Sequence, residues 1–87
     1  MTSVKPAPSL KLDLTGLKCP LPVLRTRKAL RTLAPGAEID VVCTDPMAAI
    51  DIPHMVRETG DILVESVRQD TQSHAHLLFR IRKAEHP

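Results

Sequence analysis

The chain has 87 residues, 43% of them apolar, but Phe79 is the only Phe, Tyr or Trp, so a single modest domain must build its core from Leu, Ile, Val and Met. A net charge of +2 and the lack of spare aromatic rings disfavour a protein that reads single-stranded nucleic acid by stacking its bases. No apolar stretch reaches the length of a membrane span or forms a secretory signal, which favours a cytoplasmic protein with no membrane partner, and Cys19 and Cys43 make neither a disulfide framework nor a Cys-x-x-Cys pair.

Residues 1–9 contain Pro6 and Pro8 without periodicity and read as a flexible N-terminal tail, leaving 10–87 as one domain. Leu10-Lys11-Leu12-Asp13-Leu14 alternates with period two and predicts a strand, and Thr15-Gly16 supplies the turn after it. Val23, Thr26, Leu30 and Leu33 recur at helical spacing from Pro20 to about Ala34, where Pro35-Gly36 stops the helix. Ile39, Val41, Val42 and Cys43 form a β-branched run that predicts a buried second strand, parallel to the first across the helix. Asp45-Pro46 and Asp51-Ile52-Pro53 each carry a carboxylate at a cap with proline near it. They predict a short helical turn at 46–50 and a fuller helix over 52–59, ended by Gly60. Ile62 to Arg68 and His76 to Arg82 predict two strands joined as a hairpin by a polar loop over 69–75. The order βαβαββ gives an α+β two-layer sandwich, with a four-stranded mixed sheet and two helices on one face burying Val23, Leu30 and Met55. The other sheet face is left to water or a partner.

Cys19 stands where the first strand hands over to the first helix. With Cys19 at the N-cap and Pro20 at N1, the proline gives up only an N–H that would be unpaired, and Pro22 stiffens the same turn. A helix N-terminus favours thiolate over thiol, so the spacing predicts a nucleophilic sulfur rather than a packed one. Five basic residues, Lys18, Arg25, Arg27, Lys28 and Arg31, fall between Leu14 and Ala37 with no acidic residue among them. A basic rim would lower the thiol pKa further and steer an acidic partner surface toward it. Arg25 and Arg31 are equally explained as a solvated helix face. Cys43, at the end of the second strand, is expected to be a packed thiol, with pairing to Cys19 under oxidation as the alternative. Asp45 is expected to cap the second helical segment and to lie at the same sheet edge as Cys19. His54, His74, His76 and His86 are scattered without the spacing of a zinc site, and no cofactor motif is visible.

The run Leu12-Asp13-Leu14-Thr15-Gly16-Leu17-Lys18-Cys19-Pro20-Leu21-Pro22 resembles the signature of the TusA/SirA family of small sulfur carriers, a Cys-Pro-x-Pro after a Leu-Asp-x-x-Gly leader. Arg27-Lys28, Pro35-Gly36, Thr44-Asp45-Pro46, Asp51-Ile52-Pro53 and Phe79-Arg80-Ile81-Arg82-Lys83 extend the likeness over about residues 10 to 83. The resemblance implies the same two-layer architecture, and a Cys19 that accepts a sulfane sulfur as a persulfide from a cysteine desulfurase or other sulfurtransferase and relays it to a downstream acceptor. It implies a thiol loop of Gly16, Cys19, Pro20 and Pro22, partner docking through Lys18, Arg27, Lys28 and Asp45, and a carrier rather than an enzyme. The relay would feed tRNA thiolation, molybdenum cofactor maturation or sulfur metabolism. A carrier that visits several partners is expected to be monomeric when free. Two other classes fit the same residues: a small interaction or regulatory domain with a redox-sensitive Cys19, and a thiol oxidoreductase using Cys19 and Cys43 as a pair.

Overall fold

The computed structural model describes residues 9–70 and 75–85. The expected tail, apart from Ser9, most of the loop between the last two strands, and His74 and His86 lie outside the described residues. Six elements follow in the order β1 (Ser9–Leu14), α1 (Leu21–Thr32), β2 (Glu38–Cys43), α2 (Ala48–Thr59), β3 (Ile62–Asp70) and β4 (Ala75–Arg82). The sheet order is β1-β2-β4-β3, with β1 and β2 parallel and the other two pairings antiparallel. The expected βαβαββ order, mixed sheet and two-layer sandwich are therefore observed.

Strand alternation decides what faces the helices. In β2, Ile39, Val41 and Cys43 are buried while Glu38, Asp40 and Val42 turn to the other face; in β4, Leu77, Phe79 and Ile81 do the same. Leu30 of α1 and Ile52, Met55 and Val56 of α2 close over them, while Val23 and Leu33 are only partly buried against that core. At roughly 1.5–3 kcal/mol for each large side chain taken from water, this aliphatic layer is the main stabilising term. On the open face, Arg80 bridges to Asp40 at 2.8 Å and Arg82 to Glu38 at 2.9 Å across β2 and β4. The edge strand β3 is largely exposed and carries a bulge between Leu63 and Glu65, a feature that discourages edge-to-edge pairing.

Two helix boundaries differ from the sequence expectation. α1 begins at Leu21 with Pro20 as its N-cap, so Cys19 lies one residue outside the position expected for it. Residues 48–59 form one helix rather than a turn followed by a helix, and Pro53 sits inside it. The helix tolerates Pro53 because the carbonyl that loses its partner belongs to Ala49, which is exposed and open to water. The buried spacing Ala48, Ile52, Met55, Val56 supplies the continuous apolar stripe that holds both halves in line.

Candidate functional site

Because β1 and β2 are parallel and Leu14 is in register with Cys43, the loops that follow both strands emerge side by side. The first loop turns at Gly16, whose φ of 81° lies in the left-handed region that glycine adopts without a Cβ penalty. Asp13 Oδ1 accepts from the Thr15 N–H at 3.0 Å, and the Leu17 N–H donates to the Leu14 carbonyl at 3.2 Å, closing the turn. Thr44 and Asp45 of the second loop then clamp the first. The Gly16 N–H donates to Thr44 Oγ1 at 2.8 Å, and the Cys19 N–H donates to Asp45 Oδ2 at 2.6 Å. Asp45 Oδ1 meanwhile accepts from the Met47 N–H at 3.0 Å ahead of α2, so one carboxylate serves both loops. Those two backbone hydrogen bonds, Met47 first, and the nearby Lys18 charge hold the Asp45 carboxyl below the usual carboxylate range.

Cys19 is exposed at the rim of a narrow crevice between the starts of α1 and α2, bordered by Pro20, Pro22, Asp45 and Asp51. The Cys19–Pro20 peptide is cis. The thiol donates to Asp51 Oδ2 at 3.4 Å. That hydrogen bond first, then burial and the charges of Asp51 and Asp45, raise the Cys19 pKa above the ordinary thiol value. The hydrogen bond and the two carboxylates thus oppose the shift toward thiolate expected from the sequence. Two carboxylates face the sulfur, and the helix start offers it fewer donors than usual: Pro20 and Pro22 have no N–H, and the Leu21 N–H is taken by the Lys18 carbonyl at 2.8 Å.

The residues expected at the site do not all gather. Gly16, Lys18, Cys19, Pro20, Pro22 and Asp45 do, tied through the two loops. Arg27 lies about two turns along α1 and pairs with Glu58 of α2 at 3.4 Å, sharing that carboxylate with His54. Lys28 is exposed on the same helix. Cys43 is fully buried, as the packed-thiol expectation had it, and burial with the Asp45 charge pushes its pKa up to about 11. Asp51 is the residue that sequence reasoning misplaced. Treated as a cap, it belongs instead to the first turn of α2, where its carboxylate reaches a thiol 32 positions away in sequence. The starts of both helices also expose apolar side chains, Leu21 and Leu24 on one and Met47 and Ile50 on the other. Among the described residues, no three His, Cys, Asp or Glu side chains gather as a metal site would require, and no helix is long and apolar enough to cross a membrane.

The sequence family described as Sulfurtransferase TusA matches residues 10–83, almost the entire chain. The chain belongs to the TusA family. Among TusA-family proteins, it is 36% identical over 74 residues to the sulfur carrier protein TusA of Allochromatium vinosum, a match covering 85% of this chain and 92% of that protein. It is 39% identical over 74 residues to the sulfur carrier protein TusA of Pseudomonas aeruginosa, covering 85% of this chain and 90% of the relative. The crystal structure of a SirA-like protein from Desulfitobacterium hafniense superposes with a TM-score of 0.67 at 23% identity, covering 87% of this chain and 99% of the other, and shares the fold.

Proposed function

We propose that this TusA-family chain is a sulfur carrier in which Cys19 accepts a sulfane sulfur as a persulfide from a cysteine desulfurase or other sulfurtransferase and relays it to an acceptor. The observation that carries the reading is the asymmetry of the two thiols: Cys19 is exposed on a rim, and Cys43 is sealed in the core. A carrier needs one thiol that a partner can reach and no neighbour free to resolve its persulfide early. Cys19 stands exposed on the rim rather than enclosed in a cavity, which suits a thiol that a docked partner must reach. The exposed Leu21, Leu24, Met47 and Ile50 give such a partner apolar area, while Lys18, Arg27, Lys28 and Asp45 supply charge for steering and register.

In this reading the domain over 10–87 acts in the cytoplasm as a monomer when free, catalyses no turnover of its own, and supplies tRNA thiolation, molybdenum cofactor maturation or sulfur oxidation. The burial of Cys43 weighs against the dithiol oxidoreductase, since it keeps the second sulfur from exchange. Intact-mass spectrometry after incubation with a cysteine desulfurase, pyridoxal phosphate and cysteine tests the proposal. Wild type and Cys43→Ser should gain one sulfur that a reductant removes, and Cys19→Ser should gain none. A Cys19→Ser protein that loads as wild type does would end the proposal.

A further inference from the structure

The carrier reading leaves one feature of the rim without a role. A residue whose only duty was to begin α2 would have no reason to hold the sulfur, yet Asp51 Oδ2 accepts the Cys19 thiol hydrogen at 3.4 Å. We propose that Asp51 is a positioning residue that holds Cys19 as an oriented thiol in the empty carrier and disfavours the loaded one, so that the sulfur is readily passed on. The inference rests on Cys19 being the sulfur-accepting thiol.

The proton count of the transfer sets the direction of the effect. A donor persulfide R–S–S⁻ meets the Cys19 thiol; the donor S–S bond breaks, a new S–S bond forms to Cys19 Sγ, and the Cys19 proton finishes on the departing R–SH. The moving sulfur keeps its oxidation state, so no oxidant or reductant is required. Before transfer, Sγ carries a hydrogen that Asp51 can accept. Afterwards Sγ carries none, and the hydrogen bond is lost. The persulfide's terminal sulfur bears negative charge and stands where two carboxylates, Asp51 and Asp45, already face the thiol from α2 and from the loop before it. From the loop before α1, Lys18 supplies a positive charge that acts on Asp45. Hydrogen bonding and charge therefore act in the same direction, favouring the empty state over the loaded one. The same arrangement keeps the free thiol protonated, as its raised pKa reflects, and protects it from stray electrophiles until a partner's cation offsets the carboxylates.

Two readings on Asp51→Asn test this, each on the full chain. The first is the rate of Cys19 alkylation by iodoacetamide as a function of pH. The second is the equilibrium ratio of loaded to empty carrier in a fixed mixture of glutathione persulfide and glutathione, read by intact mass. Removing the charge should move the alkylation profile to lower pH and raise the rate at neutral pH by at least about threefold, the low end of what one hydrogen bond contributes in net terms, as befits an exposed site. The loaded-to-empty ratio should rise by a similar factor. Asp51→Glu, which keeps the charge, should lie closer to wild type in both, separating the effect from a general loosening of the helix start. An Asp51→Asn profile that coincides with wild type, or moves to higher pH, overturns the inference. If wild type takes up no sulfur at all, the carrier reading fails instead, and the alkylation profile alone then decides whether Asp51 holds the thiol.

Discussion

Cys43→Ser probes the division of labour between the two sulfurs. Cys43 is fully buried at the end of β2, in register with Leu14 on one side and Leu77 on the other, within the aliphatic core. A thiol there acts as a small hydrophobe, and a serine hydroxyl in the same place loses water without gaining an assured partner. Leaving such a group unsatisfied costs about 1–3 kcal/mol. For a chain of 87 residues each kcal/mol shifts the melting temperature by roughly 4–8 °C, so Cys43→Ser should melt roughly 4–24 °C below wild type. Cys43→Ala, which leaves a small cavity but no orphaned hydroxyl, should lose about 0.5–1.5 kcal/mol. With a pKa of about 11, only about one Cys43 in ten thousand is ionised at pH 7, and the core shields that fraction from reagents. A brief iodoacetamide pulse on native protein should add one group, at Cys19, and the same pulse in guanidinium chloride should add two. Native protein that takes two groups at comparable rates, or a Cys43→Ser variant as stable as wild type, would show that Cys43 is not a packed core thiol.

Gly16→Ala should lower stability by about 1 kcal/mol in a thermal melt, because the left-handed φ of 81° penalises a Cβ although no atom lies within 4 Å of it; an unchanged melt would show that the turn can relax. Thr26→Val should raise the melting temperature by a few degrees, since the Thr26 Oγ1 is buried with no hydrogen-bond partner among the described residues and valine fills the same volume without the hydroxyl. A fall would show that the hydroxyl is satisfied. The Asp45 carboxyl is held below its usual pKa, so its contribution is present above the unfolded value and is lost as pH falls below about 4 through the lower folded one. Asp45→Asn should accordingly be less stable at neutral pH and lose less on acidification, as melts across that window would reveal.

Much of this fold is written in local pattern. The period-two run Leu10–Leu14 and the β-branched stretch from Ile39 became β1 and β2, and the helical spacing of Thr26 and Leu30 found the buried side of α1. Pro53 was misleading because a proline near a carboxylate resembles a helix start, while the competing signal, the Ala48-Ile52-Met55-Val56 stripe, extends through it. The thiol's surroundings were harder to see. The clamp from Asp45 and the hydrogen bond to Asp51 join residues 26 and 32 positions apart, so they arise only once β1 and β2 end together. Local reasoning about a helix N-terminus points the Cys19 pKa downward, because it counts the dipole and not the carboxylates that the neighbouring loop and α2 bring to the sulfur and that push it up.

A carrier of this kind must receive and surrender a sulfane sulfur on one exposed thiol. Tandem mass spectrometry of the carrier, loaded by a cysteine desulfurase, freed of the donor and then exposed to an acceptor thiol, tests it most directly. One added sulfur is expected on the peptide containing Cys19, and it should disappear when the acceptor is present. A sulfur found on Cys43, or a Cys19 peptide that never gains mass, would contradict it.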